Sequence, residues 1–63
     1  MRPELVVQNG NKTVDIFNRG QHYSLEHYED GIWRSVKIAR TIEEAKLIAE
    51  RYVGPSQPTL LNE

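Results

Sequence analysis

The run Thr41-Ile42-Glu43-Glu44 constrains the fold of this chain more than any other stretch. A threonine followed three positions later by a glutamate, just ahead of an apolar run, is the signature of a capping box. The Thr41 hydroxyl accepts from the amide of Glu44, and the Glu44 carboxylate reaches back to the amide of Thr41. Before this point apolar residues alternate with a period of two. After it they recur at helical spacing. Thr41 therefore marks where a small sheet hands over to a single helix.

The sheet can be laid out from its turns. Gly10, Gly20 and Gly31 separate runs at 4–8, 12–17, 22–29 and 32–39. Asn9-Gly10 and Asp30-Gly31 are dipeptides favoured in type I′ hairpin turns, in which both central residues need positive φ. With Asp30-Gly31 as a two-residue loop, Tyr28 faces Trp33, Leu25 faces Val36 and Tyr23 faces Ile38. A loop centred on Arg19-Gly20 pairs Phe17 with His22, Ile16 with Tyr23 and Val14 with Leu25. An Asn9-Gly10 loop pairs Leu5 with Val14. All three registers gather Leu5, Val7, Val14, Ile16, Tyr23, Leu25, Val36 and Ile38 on one face, and a slip of one residue would mix the faces. The expectation is an α+β fold, a four-stranded antiparallel meander packed on one C-terminal helix. Pro3 confines the first strand to an edge.

The helix is expected over about 42 to 53, with Ile42, Ala45, Ile48, Ala49, Tyr52 and Val53 as its apolar stripe. Leu47 falls off that stripe and needs no explanation as a lone exposed leucine. Gly54-Pro55 is a helix stop. Residues 1–54 thus read as one domain and 55–63 as a flexible C-terminal tail.

Composition narrows the function. A chain of 63 residues buries only about 60% of its unfolded surface, and with no cysteine it has neither a disulfide nor a thiolate metal site to supplement the core. The formal net charge is −1, which lacks the basic excess of proteins devoted to phosphate backbones. No signal-peptide-like or membrane-spanning run is present, so a cytoplasmic protein is expected. On that expectation the Asn11-Lys12-Thr13 sequon is a chance match.

No residue set points to catalysis, a metal or a cofactor. His22 and His27 are five apart on one strand and face opposite ways. His22 and Glu26 share a face but stand roughly 13 Å apart. Ser24 faces Lys37 and Ser35 faces Glu26 in this register, ordinary cross-strand pairs with no third group to orient a base. Glu43 and Glu44 occupy the first helical turn, where the helix dipole accounts for them. The isolated glycines build no phosphate loop.

What remains is the face the helix leaves uncovered. It is expected to hold Val6, Thr13, Asp15, Phe17, His22, Ser24, Glu26, Tyr28, Trp33, Ser35 and Lys37. Phe17, His22, Tyr28, Trp33 and Lys37 are the partner-contact candidates, because aromatic residues are enriched in interface cores. Tyr28 opposite Trp33 also has the plainer role of a hairpin clasp. Leu60 and Leu61 of the tail offer a second contact point.

The order of sheet and helix, with Gly31-x-Trp33 ahead of a Thr-x-x-Glu-Ala helix, is similar to the arm-DNA-binding domains of tyrosine integrases and to small phage-encoded ββα units. The shared positions are turn, sheet and cap residues over about half the chain. That resemblance implies nucleic-acid binding; the residues available for it on the sheet are Arg19, Arg34 and Lys37 for phosphates and Trp33 or Tyr28 for stacking on bases. Residue chemistry favours a small non-enzymatic regulatory or accessory protein that binds a protein partner or a second copy of itself, and the resemblance implies a phage or mobile-element type.

Overall fold

The computed structural model describes residues 2–54. Four strands, β1 (Leu5–Asn9), β2 (Lys12–Asn18), β3 (Tyr23–Glu29) and β4 (Ile32–Ala39), form one antiparallel sheet in the order β1-β2-β3-β4. The helix α1 (Ile42–Val53) follows. This is the α+β meander with one C-terminal helix that turn chemistry and periodicity predict. The tail at 55–63, with Leu60 and Leu61, lies outside the described residues. Among the described residues no helix is long and apolar enough to cross a membrane.

The turns sort by which loop position the glycine takes. Asp30 and Gly31 both have positive φ, 57° and 77°, and Glu29 pairs with Ile32, so this is the expected type I′ loop. The first turn is Gly10-Asn11 rather than Asn9-Gly10, because Asn9 pairs with Lys12. Only Gly10 of that pair has positive φ, the pattern of a type II′ turn. Asn9 is used elsewhere: its Nδ2 donates to the carbonyl of Val53 at 3.3 Å, at the end of α1. The second turn moves in the same way, with the Arg19 amide bonded to the His22 carbonyl around Gly20-Gln21. There the Asn18 side chain accepts from the Gly20 amide at 2.8 Å. Each shift moves the pairing by two residues. Side-chain faces repeat every two residues, so the inward set of the first three strands survives.

The third hairpin departs further. Tyr28 pairs with Trp33 as expected, but His27 pairs with Ser35, Glu26 with Val36, Leu25 with Lys37 and Ser24 with Ile38. Arg34 is therefore an extra residue on β4, a bulge. Every residue beyond it changes face. Val36 and Ile38, expected in the core, are instead 46% and 58% exposed. In the regular register Arg34 would sit opposite buried His27 on the helix side, a poor place for a guanidinium. With the bulge, Arg34 instead stands 3.9 Å from Glu29 at the surface. A bulge also protects an edge strand against pairing with other chains.

The core comprises Val14, Ile16, Leu25, Ala39, Ala45, Ala49 and Val53, flanked by Leu5, Val7, Tyr23, Ile42, Ile48 and Tyr52. Small residues on both sides, Ala39 against Ala45 and Ala49, suit close seating of the helix. Thr41 caps α1 by accepting from the Glu44 amide at 3.1 Å. The return bond of the box goes one residue further back than expected, from the Arg40 amide to Glu44 Oε1 at 3.0 Å. At the other end Gly54, with φ 98°, donates its amide to the Glu50 carbonyl.

Candidate functional site

The uncovered face of the sheet consists of three rows that run across the strands. One is Gln8, Thr13, Tyr28 and Trp33. The next is Val6, Asp15, Glu26 and Val36, and the third is Phe17, Ser24 and Ile38. The outward side of β4 thus presents Trp33, Val36 and Ile38 in succession, Trp33 itself 51% exposed. Single exposed apolar residues are commonplace, but three along one side of an edge strand make a patch.

Polar groups frame that patch. The Trp33 indole N–H donates to the carboxylate of Glu26, which fixes the ring over the neighbouring strand. Glu26 also stands directly opposite Asp15. Partial burial, and secondarily the charge of Glu26, hold the Asp15 carboxyl above its ordinary value. Like charges set directly across a sheet are destabilising, so two acids lie at the centre of the face without compensation from each other. At the far end, the Arg19 guanidinium stacks on the Phe17 ring at 4.8 Å. Its Nε donates to Ser24 Oγ at 2.9 Å, and Ser24 is buried as a result.

Of the five residues singled out from sequence, Phe17, Tyr28 and Trp33 lie on this face. Two placements are corrected. His22 does not stand opposite Phe17, whose partner is Ser24; it closes the turn through its carbonyl. Lys37 pairs with Leu25 on the helix side of the sheet, because the bulge inverts β4. Ser35 crosses with it, so the pairs Ser24–Lys37 and Ser35–Glu26 do not form. Val36 and Ile38 take their places. A strand pattern of alternating polar and apolar residues reads equally well with either face inward, so nothing local to β4 signals the exchange.

On the helix side the same inversion leaves a gap. Ser35 and Lys37 replace two aliphatic residues beneath α1, and a cavity of about 330 Å³ lies there, lined by His27, Lys37, Ile48, Arg51 and Tyr52. Tyr52 meets the His27 ring edge to face at 4.3 Å. Its hydroxyl donates to the Tyr28 carbonyl at 3.4 Å, beside the point where the register shifts.

Comparison of this chain with protein-family models, curated proteins and solved structures yields no match.

Proposed function

We propose that this protein is a small regulatory or accessory module that acts by binding, not catalysis, and that it engages a protein partner through the uncovered sheet face. The observation that supports this reading is the half-exposed row of Trp33, Val36 and Ile38 along β4. In a chain with so little core, leaving a valine and an isoleucine half exposed forgoes roughly half of the 1.5–3 kcal/mol per side chain that full burial is worth. A partner that covers them recovers it. The chemistry of the partner follows from the rest of the face: an apolar surface for the β4 row, with a cationic group to meet Asp15 and Glu26.

The same features weigh against nucleic acid on this face. Lys37 is turned to the other side, Arg19 is engaged with Phe17 and Ser24 and Arg34 stands beside Glu29, and the centre of the face is acidic. The test is capture from a cell extract by the immobilised full chain, with and without nuclease, beside a Trp33→Ala/Ile38→Ser variant. A discrete protein that survives nuclease and is lost with the variant is the expected result. Retention that requires nucleic acid and falls steeply with salt, or a variant that captures the same protein equally well, refutes the proposal.

A further inference from the structure

The cavity between α1 and β4 lies on the other side of the sheet and is independent of the outer face. Its two cations come from different elements, Lys37 from β4 and Arg51 from α1, and among the described residues neither is paired with a carboxylate. Its floor is His27, which is fully buried and whose Nε2 has no hydrogen-bond partner among the described residues. Buried polar atoms almost always have partners, so an orphan at the bottom of a cavity calls for one. The walls are largely apolar, from Ile48 and the Tyr52 ring. The volume is at the small end of the range for ligand sites.

We propose that this cavity binds a small organic carboxylate, with its anionic end held by Lys37 and Arg51, its apolar body against Ile48 and Tyr52, and His27 beneath it. A guanidinium forks onto a carboxylate with two parallel hydrogen bonds. The apolar walls suit a monoanion with a hydrocarbon body better than a strongly hydrated phosphate dianion, and among the described residues no glycine-rich backbone nest is present to hold a phosphate.

The histidine adds a signature. Nδ1 lies 3.1 Å from the Leu25 carbonyl; a carbonyl only accepts, so Nδ1 carries the proton and the neutral ring offers a bare Nε2. Several groups bear on its charge. Burial is the largest influence and lowers the pKa below its ordinary 6.5; the Leu25 and Ser35 carbonyls and Glu26 raise it, and Lys37 lowers it. Arg51 lines the same cavity, and Lys12 of β2 holds its ammonium 5.3 Å from the Tyr52 ring. In the free protein the unfolded chain protonates first as pH falls. The stability contributed by neutral His27 is thus present above about 6.5 and is lost as pH falls through the lower folded-state value. A bound carboxylate offsets the Lys37 charge that disfavours a protonated ring. Binding then takes up a proton and tightens as pH falls.

The experiment titrates the isotope-labelled full chain with sodium benzoate and follows the His27 ring and Ile48 methyl resonances. Chloride and inorganic phosphate at matched ionic strength are the controls. Saturable shifts are expected, with a dissociation constant on the order of 1 mM or tighter. Affinity should be greater at pH 6 than at pH 8, with the His27 titration moved upward in the complex. Arg51→Gln, at an exposed position, should weaken binding about tenfold and leave the amide spectrum otherwise unchanged; Lys37→Gln serves if that variant misfolds. Failure of benzoate to saturate, an equal or tighter response to phosphate, or undiminished binding by the folded variant overturns the proposal.

Discussion

Through β1, β2 and β3 the aliphatic side chains, Val6 apart, point at the helix; in the second half of β4 Val36 and Ile38 point away from it. Leu5, Val7, Val14, Ile16 and Leu25 keep the parity set at their turns, and turn shifts of two residues do not disturb it. One unpaired residue, Arg34, inverts everything between Ser35 and Ala39. Alternation is a local rule, and the face it lands on is a consequence of the whole ladder. The inversion has two results at once. Outside, it aligns Val36 and Ile38 with Trp33; inside, it places Ser35 and Lys37 where packed core would otherwise be.

The sharpest way to break this contrast is to truncate one aliphatic residue from each region. Leu25→Ala should cost about 2–5 kcal/mol, enough to unfold much of so small a domain. Ile38→Ala should stay within about 0.5 kcal/mol, as surface changes do. Denaturant midpoints measure both, and equal losses would mean that Ile38 belongs to the core.

A smaller effect tests the helix that makes the two faces unequal. Thr41→Ala removes the hydroxyl that accepts from the Glu44 amide and should cost on the order of 1 kcal/mol. Arg40 contributes only its backbone amide to Glu44, so Arg40→Ala should be nearly silent. Equal costs in urea titrations would place the helix start elsewhere.

The smallest effect concerns the acids of the uncovered face. Asp15 has a raised pKa, so its ionised form opposes folding. That opposition is absent where the carboxyl is protonated in both states and complete above the raised folded-state value. Asp15→Asn should therefore stabilise the chain by a few tenths of a kcal/mol at neutral pH, the scale of an exposed cross-strand charge pair. The gain should vanish near pH 3, below the carboxylate range. Stability curves of both proteins against pH decide the matter, and loss of stability on substitution would show Asp15 to be favourably paired.

Much of the fold was legible because it rests on local chemistry. Asp30-Gly31 supplies the two positive φ angles that set Tyr28 opposite Trp33, and Thr41 with Glu44 declares the helix start. The alanines of α1 mark its buried stripe. The turns at Gly10 and Gly20 were legible only as turns, since glycine accepts positive φ in either loop position. The choice was made by the side chains of Asn9, bonded to distant Val53, and Asn18, bonded to Gly20. The bulge was not legible. Matching apolar to apolar residues favours the regular register, and only the pairing of β4 as a whole places Arg34 outside the ladder. Phe17, Tyr28 and Trp33 were accordingly found from sequence, whereas Val36, Ile38 and the cavity around His27 depend on that one residue.

The inversion of β4 is tested most directly by cross-strand nuclear Overhauser contacts in the β3–β4 hairpin. The structure predicts backbone contacts that link Glu26 with Val36 and Ser24 with Ile38, and methyl groups of Val36 and Ile38 without contacts to Ala45, Ile48 or Ala49. Contacts that link Leu25 with Val36 and Tyr23 with Ile38, with those methyls against the helix, would contradict it.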